Sequence, residues 1–377
     1  MVNLALDIEL IIFIAFIAAF LILLCYYLFI FSRLAFHKKD DTVSDQSGLP
    51  PVSIVIAVKN EEQNLQKNLP SILEQDYPEF EVIVINDLST DNTAAVLEQF
   101  EERHKNLRTI TIKLEGSHPV GKKYPLTLGI KGAKYETLLL TDADCQPKSK
   151  NWIRKMVNNY GEGTEIVLGY GAYEKKVGLL NKIIRFDTFL IALNYFSFAL
   201  YGNPYMGVGR NLSYKRALFF RHKGFANHTH IASGDDDLFI GKVANKLNTA
   251  IEIHTDSHTV SKVKHNFYGW IKQKRRHLTT GKFYRSKTKF MLGLLALSNV
   301  IFILTFLGLV LFNYKMDLVL GAFGVKILVQ VIIFKKSMDK LNEKDLLVFF
   351  PFFEVFLIFF YPYLYFSNAF IKQTKWK

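Results

Sequence analysis

Two aspartates, one residue apart, follow an apolar run in the first half of the chain. Leucines occupy positions 138–140, Thr141 follows, and then come Asp142 and Asp144. A short apolar run bounded by polar residues is typical of a strand buried on both faces in a parallel sheet. The carboxylates then lie at the carboxyl end of that strand, where open α/β sheets bind ligands. This spacing suits Mg²⁺ or Mn²⁺ bound to substrate phosphates, although such a pair could also simply solvate a turn.

Three consecutive aspartates, Asp235, Asp236 and Asp237, follow Gly234. Like charges this close cost free energy unless a cation, a proton or solvent relieves them, so we expect their pKa values to separate. One of the three is a candidate general base that takes a proton from an attacking hydroxyl. The alternative is a solvated loop.

Further polar residues lie at the predicted ends of strands and the starts of helices. Val58, Asn60 and Glu61 come at the end of the first predicted strand, and Asp87 ends the second. Acidic groups in such places can hold a ribose and a base. Lys122 opens a predicted helix, where a cation can neutralise a diphosphate. Each alone is ordinary, because Glu61 could start its helix and Asp87 could cap a turn.

Two more segments could contact a ligand. Gln273 and Arg276 are three residues apart, on one face of a predicted helix, where the arginine could meet a pyrophosphate leaving group. The alternative is a basic stretch that touches lipid. The glycine-rich residues 207–212 could let the backbone approach a ligand closely, or they could form a turn.

Segments of different period alternate between these residues. The patterns predict strands over residues 52–58, 80–85, 107–114 and 137–140, and helices over residues 61–74, 93–104 and 123–134. Such alternation implies right-handed crossovers and an α/β fold with a mostly parallel, doubly wound sheet. A polar linker over residues 40–48 precedes it. Residues 178–200 could form an amphipathic helix at a membrane surface or a buried core helix.

Apolar residues are concentrated at the two ends of the chain. Candidate membrane spans cover residues 8–32, 292–312, 318–334 and 346–370. The last two contain Lys326 and Glu354, so they could be buried or re-entrant segments instead. We therefore expect three regions, which are an N-terminal anchor (1–35), a cytoplasmic domain (50–285) and a C-terminal membrane region (290–371).

The formal net charge of +13 reflects basic residues that cluster beside the spans. They follow the first span and precede the second, so the positive-inside rule predicts a multi-pass protein of the inner membrane with a cytoplasmic middle region. Lys372, Lys375 and Lys377 conflict with a simple crossing by the last segment. We attribute the excess to topology and lipid headgroups, and do not expect nucleic-acid binding. The two cysteines show neither a disulfide framework nor zinc spacing.

The ordered set of motifs resembles membrane-anchored family 2 glycosyltransferases, which have the GT-A fold and include cellulose, chitin and hyaluronan synthases. The segments that carry the resemblance are PVSIVIAVKNEEQNL, EVIVINDLSTDNT, GKKYPLTLGI, LLLTDADCQP, GVGRNLSYKR, SGDDDLF and QKRRH. They cover residues 50–281.

The resemblance implies a role for each candidate residue. The positions that match those holding the uracil and ribose of a UDP-sugar are Val58, Asn60, Glu61 and Asp87. Lys122 matches the lysine near the diphosphate, and Asp142 and Asp144 match the metal and diphosphate motif. Asp236 matches the catalytic base, with Asp235 or Asp237 as the fallback.

Gln273 and Arg276 match the Gln-x-x-Arg-Trp motif, but His277 replaces its tryptophan, which weakens the case for a processive synthase. We expect an inverting transferase that uses a nucleotide-sugar, a divalent cation (Mg²⁺ or Mn²⁺) and a lipid-linked or saccharide acceptor, in contact with membrane lipids. The rival is a non-catalytic membrane protein that binds a sugar nucleotide or belongs to an export complex.

Overall fold

The computed structural model describes residues 8–38, 48–113, 121–226, 229, 231 and 233–368. Most of the predicted linker, the end of the third predicted strand at Leu114 and the C-terminal lysines lie outside these residues. The same holds for the last two residues of the span predicted over 346–370.

Ten strands form two sheets in the described residues. The strands are β1 Val52–Val58, β2 Phe80–Asn86, β3 Leu107–Thr111, β4 Thr137–Leu140, β5 Cys145–Pro147, β6 Ile166–Leu168, β7 Gly171–Tyr173, β8 Leu212–Lys215, β9 Thr249–Ile251 and β10 Thr259–Ser261. The larger sheet has seven strands in the order β3-β2-β1-β4-β8-β6-β9, and the smaller has the order β5-β10-β7.

The larger sheet is mostly parallel, as the sequence predicted. β1 pairs in parallel with β2 and with β4, and all seven of its residues are buried. β8 is the exception, because it runs antiparallel to both β4 and β6. The continuous Val and Ile runs fit this position, since a central parallel strand is covered on both faces.

Helices cover both faces of the larger sheet and connect strands of the two sheets. They are α2 Glu62–Leu73, α3 Thr93–Arg103, α4 Lys123–Gly132, α5 Trp152–Val157, α6 Leu179–Leu200, α7 Arg216–Arg221, α8 Asp237–Val243 and α9 Phe267–Leu278. α4 lies very close to the sheet at Gly129, where an added Cβ would be 2.6 Å from Cγ1 of Val55. This close approach brings Lys122, at the start of α4, near the end of β4.

α6 is buried rather than laid on a surface. Most of its residues are inaccessible, including Phe186 and Phe189. The ring of Phe189 lies 5.4 Å from that of Phe334, which belongs to an apolar helix. α6 therefore joins the sheet to the apolar helices, and of the two alternatives for residues 178–200 the structure favours the core helix.

Four further apolar helices flank this region. They are α1 Ile8–Ala35, α10 Ser286–Leu311, α11 Met316–Lys340 and α12 Phe350–Asn368. Together with α6 they make five helices, among the described residues, that are long and apolar enough to cross a membrane. α1 packs on α10, with the rings of Phe16 and Phe302 stacked 5.0 Å apart.

Two ionisable residues, Lys326 of α11 and Glu354 of α12, are paired with each other. Lys326 Nζ donates to Gln330 Oε1 at 2.6 Å and lies 3.3 Å from Glu354 Oε2. Gln330 Nε2 donates to Glu354 Oε1 at 2.7 Å. The cluster satisfies polar groups that would otherwise lie unpaired among apolar helices.

A second buried ion pair joins α6 to the connection before α12. The guanidinium of Arg185 pairs with Glu343 and lies 2.7 Å from Asp345 Oδ1. Tyr170, next to β7, also donates to Glu343, at 3.3 Å. The start of α12 is therefore held on the strand–helix domain.

Candidate active site

Residues after β1 and β2 meet at one edge of the sheet. The Asp87 N–H donates to the Val58 carbonyl at 2.8 Å, and the Thr90 N–H donates to Asn60 Oδ1 at 2.7 Å. Asn60 has a left-handed backbone with φ of 53°, which asparagine tolerates better than most residues. The Glu61 N–H donates to Thr93 Oγ1 at 2.9 Å. The structure thus brings together the four residues expected to hold the base and ribose.

Lys122 connects the aspartates that follow β4 to the triple aspartate. Its Nζ forms an ion pair with Asp142 and lies 3.9 Å from Asp235 Oδ2. Burial alone would lower the pKa of Lys122, but the carboxylates of Asp142 and Asp235 raise it instead. Lys122 is therefore a permanent cation between two acidic sites that lie far apart in the sequence.

Asp142, Asp144 and Cys145 could hold a metal ion. Their possible ligand atoms all lie within 4.8 Å of one another, and the Cys145 thiol donates to Asp144 Oδ1 at 3.6 Å. Burial and the charge of Asp142 raise the pKa of Asp144, while Lys122 and Arg210 hold the pKa of Asp142 below its usual value despite burial. Two close carboxylates of this kind fit a divalent cation, whose charge would relieve their repulsion.

The three consecutive aspartates have three different environments. Asp237 is buried and accepts hydrogen bonds from the hydroxyl of Thr280 and, at 2.9 Å, from that of Tyr284. Its other oxygen accepts the N–H of Leu238 at 2.8 Å. Asp235 faces Lys122 instead. Asp237 is thus occupied by structural contacts.

Asp236 is the member of the three with the properties of a base. It accepts the N–H of Gly209 at 2.8 Å and, through its other oxygen, the N–H of Asp237 at 2.8 Å. Partial burial and the charges of Asp235 and Asp237 raise the pKa of Asp236 to about 7. A carboxylate with such a pKa accepts a proton more readily than an ordinary aspartate.

The glycine-rich loop reaches Asp236 through the backbone N–H of Gly209. A Cβ at this position would lie 3.4 Å from Asp236 Oδ2, which is an ordinary van der Waals distance, so the contact does not itself require glycine. Of the two alternatives for residues 207–212, the structure shows a turn, in which the Asn211 N–H donates to the Val208 carbonyl at 2.9 Å. Approach of this backbone to a ligand stays a prediction.

Arg210 follows in the same loop and was not predicted from the sequence. Its carbonyl accepts hydrogen bonds from Thr141 and Thr259, each at 2.9 Å. Its guanidinium donates to Ser261 Oγ at 2.8 Å and stacks over the ring of Tyr173 at 4.3 Å. The only sequence signal was an arginine inside a glycine-rich loop.

α9 carries Gln273 and Arg276 to the same cleft. Gln273 Nε2 donates to the hydroxyl of Tyr173 at 3.2 Å. The charge of Arg276 contributes, after those of Lys122 and Arg210, to lowering the pKa of Asp142, so Arg276 lies within electrostatic reach of the end of β4. His277 lies on the exposed side of α9. The cations that could stabilise a leaving diphosphate, which are Lys122, Arg210 and Arg276, therefore come from three separate parts of the chain.

Comparison with known proteins assigns part of the chain to a family. Residues 53–223 match the family model described as glycosyl transferase family 2. The chain contains a family 2 glycosyltransferase domain. The matched range includes Asp87, Lys122 and both aspartates after β4, whereas Asp236 and Arg276 lie beyond it.

Two curated relatives match part of this chain. The poly-beta-1,6-N-acetyl-D-glucosamine synthase of Staphylococcus epidermidis is 36% identical over 123 residues, which make up 32% of this chain and 27% of that protein. Glycosyltransferase AglE of Haloferax volcanii is 33% identical over 127 residues, or 33% of this chain and 40% of that protein. The chain thus spans about a quarter to two fifths of the length of these relatives.

A solved structure shows that the likeness in fold extends further. The mannosyltransferase from Pyrobaculum calidifontis, solved with GDP-Man and Mn²⁺, aligns with a TM-score of 0.57 and 19% identity. The alignment covers 91% of this chain and 97% of that one. The chain therefore has an α/β GT-A fold, with apolar helices before and after it.

Proposed function

We propose that the protein is an inverting glycosyltransferase that moves a sugar from a nucleoside diphosphate, with UDP as the first candidate, to a hydroxyl of a lipid-linked or saccharide acceptor. The observation that carries the proposal is the position of Lys122, between Asp142 at the end of β4 and Asp235 of the triple aspartate. This contact joins the residues suited to a leaving diphosphate to the triple aspartate, in which Asp236, the residue next to Asp235, is suited to act as base.

The donor would lie across the carboxyl ends of β1, β2 and β4. Val58, Asn60, Glu61 and Asp87 would hold the base and ribose, because they come together at this edge. Lys122 and Arg276 would face the diphosphate. These residue types suit the parts of the donor that they would contact, because carboxylates and amides hydrogen-bond to ribose hydroxyls and cations bind phosphates.

Asp142 and Asp144 are the residues that would hold a divalent cation, with Cys145 beside them. When bound, such a cation would act as a Lewis acid toward the phosphate oxygens. Lys122, Arg210 and Arg276 favour the charged form of Asp142, whereas burial and the charge of Asp142 raise the pKa of Asp144. A bound cation would favour the charged form of both carboxylates.

Asp236 would take the proton from the acceptor hydroxyl. The acceptor oxygen then bonds to the anomeric carbon as the bond from that carbon to the diphosphate oxygen breaks, which inverts the configuration in one displacement. Lys122 and Arg276 stabilise the charge that develops on the departing diphosphate. A pKa of about 7 suits Asp236 for this task.

The arrangement favours catalysis over binding alone. A protein that only binds a sugar nucleotide has no need of a partly buried carboxylate with a raised pKa next to the diphosphate residues. The relative named as a poly-beta-1,6-N-acetyl-D-glucosamine synthase supports N-acetylglucosamine as the first sugar to test, and UDP is the first candidate for the nucleotide that carries it. The apolar helices and their flanking basic residues support an acceptor presented at the cytoplasmic face of the inner membrane.

The experiment is a transfer assay on membranes that contain the protein. Radiolabelled nucleotide-sugars are supplied one at a time, and label is followed into lipid-soluble and polymeric products. We expect transfer from one donor, loss of transfer in EDTA and recovery with Mn²⁺ or Mg²⁺. The Asp144→Asn variant should bind poorly to the metal and transfer slowly even when Mn²⁺ is abundant. Full activity of the wild type in metal-free buffer would contradict the metal assignment.

A further inference from the structure

We infer that Asp187, a buried residue of α6 outside the cleft, positions the helix that carries Arg276. This inference rests on the proposed function only in taking Arg276 to contact the diphosphate. The observation is a three-residue cluster, which we call the Asp187 cluster. In it Asp187 forms an ion pair with Lys274 of α9 and accepts a hydrogen bond from the hydroxyl of Tyr361 of α12.

The Asp187 cluster is withdrawn from solvent. The side chain of Asp187 is 1% exposed and that of Lys274 is 9% exposed. A buried charge is tolerated only with a partner, so each of these residues requires the other. The relative placement of α6 and α9 is thus fixed by charge as well as by shape.

The ion pair between Asp187 and Lys274 fixes how α9 is rotated about its own axis. Lys274 and Arg276 are two residues apart, and side chains at that spacing point to different sides of a helix. Holding Lys274 against α6 therefore turns Arg276 away from α6 and toward the cleft. Gln273 contacts Tyr173 on the cleft side, in agreement with this orientation.

α12 holds α9 from the same side as α6. The indole of Trp270 stacks on the ring of Phe360, with ring centroids 4.8 Å apart. Arg275 donates to Ser367 Oγ at 3.1 Å, and the side chain of Asn368 donates to the Arg275 carbonyl at 3.0 Å. An apolar helix at the C-terminal side of the chain is thus part of the support for a leaving-group residue.

The test is a double-mutant cycle that measures UDP affinity in Mn²⁺ by calorimetry on the purified full chain. Arg276→Ala should weaken UDP binding about 10- to 100-fold, the usual worth of a charged hydrogen bond. Asp187→Asn should weaken it about 10-fold in the wild-type background. It should have no further effect once Arg276 is alanine, because Asp187 acts through that residue.

Two further variants separate positioning from general stability. Glu343→Gln disturbs the neighbouring buried pair with Arg185, which touches α6 but not α9, and should change UDP affinity less than about 2-fold. Tyr361→Phe removes one hydrogen bond from Asp187 without creating an unpaired lysine, so it tests the cluster if Asp187→Asn folds poorly. We expect it to weaken UDP binding about 3-fold, and only when Arg276 is present.

Equal losses from Asp187→Asn in both backgrounds would overturn the inference, and so would a loss of UDP affinity in Glu343→Gln that matches that of Asp187→Asn. Because the cycle reads nucleotide affinity, its result does not depend on the detection of sugar transfer. The failure of the transfer assay and the failure of this inference are therefore separate outcomes.

Discussion

The three adjacent aspartates have identical side chains, but each has different ion-pair or hydrogen-bond partners. Asp235 lies near Lys122, Asp236 accepts the Gly209 N–H, and Asp237 is bonded to Thr280 and Tyr284. Substitution of each by asparagine should therefore have a different result, even though the three changes are chemically identical.

Asp236→Asn should reduce the rate of sugar transfer by about 10²- to 10⁴-fold, the usual contribution of a general base, with UDP affinity nearly unchanged. Asp237→Asn should instead lower the free energy of unfolding by about 1–2 kcal/mol, because it weakens buried hydrogen bonds. Initial rates, UDP calorimetry and thermal unfolding in detergent measure the three quantities. An active Asp236→Asn protein beside an inactive, stable Asp237→Asn protein would assign the base to Asp237.

The raised pKa of Asp236 predicts a pH dependence. The base must be deprotonated to act, so the transfer rate should fall as the pH drops through about 7. Asp235→Asn removes a charge that disfavours the deprotonated form, so the acid limb of the rate profile should move to lower pH. The measurement is the transfer rate at saturating donor over a pH series. A limb that stays in place in the Asp235→Asn variant would show that another group is titrating.

At the scale of elements, the helices α11 and α12 are joined by a polar cluster inside an apolar region. Lys326, Gln330 and Glu354 satisfy one another there, and Lys326 is 3% exposed. Breaking a buried pair by removing one partner is costly, because the remaining charge is left without compensation.

Lys326→Met should therefore destabilise the protein by about 3–5 kcal/mol. The double variant Lys326→Met with Glu354→Gln should recover much of that loss, since no buried charge remains. Lys335→Met, an exposed lysine of the same helix, is the matched control and should change little. Thermal unfolding in one detergent reports all three. If the double variant is no more stable than Lys326→Met, the two side chains do not act as a pair.

The sequence was sufficient to predict features that depend on local pattern. The alternating segments predicted β1, β2, β4 and helices α2 to α4 to within a few residues, and they placed Asp142 at a strand end. The antiparallel course of β8 was not predicted, because strand direction depends on the path between strands rather than on composition.

The contacts that distinguish the site residues from one another join residues far apart in the sequence. Local sequence patterns could therefore not predict them. Asp237 meets Thr280 and Tyr284, which lie more than forty positions further along the chain. Arg210 donates to Ser261 of β10, which lies 51 positions further along the chain. The triple aspartate was recognisable as unusual, but the partners that distinguish its members were not.

At the scale of the whole molecule, α12 is bonded to the strand–helix domain at both of its ends. Asp345, before its first turn, pairs with Arg185 and Lys175, and Tyr361 bonds to Asp187, two residues from Arg185. Beyond that, Ser367 bonds to Arg275 of α9. We therefore expect α12 to lie against the catalytic region without crossing the membrane, while α1, α10 and α11 cross it.

Single cysteines test this topology in a background with Cys25 replaced by alanine. Cysteines at Asn151, Lys344 and Tyr365 should be labelled by an impermeant reagent only after the cells are opened. A cysteine at Phe312, between α10 and α11, should be labelled in intact cells. Labelling at Tyr365 in intact cells would mean that α12 does cross, and labelling at Asn151 would reverse the whole orientation.

The hydrogen bond between Tyr284 and Asp237 links the proposed base, Asp236, to the start of the apolar helix α10. Tyr284 lies two residues before Ser286, the first residue of α10, and Asp237 is the next residue after Asp236. A helix adjusts its tilt to the thickness of the surrounding hydrocarbon. We therefore expect turnover in reconstituted vesicles to vary with lipid acyl-chain length, and to vary less in Tyr284→Phe, because the thickness of the membrane would be transmitted as a displacement of the proton acceptor.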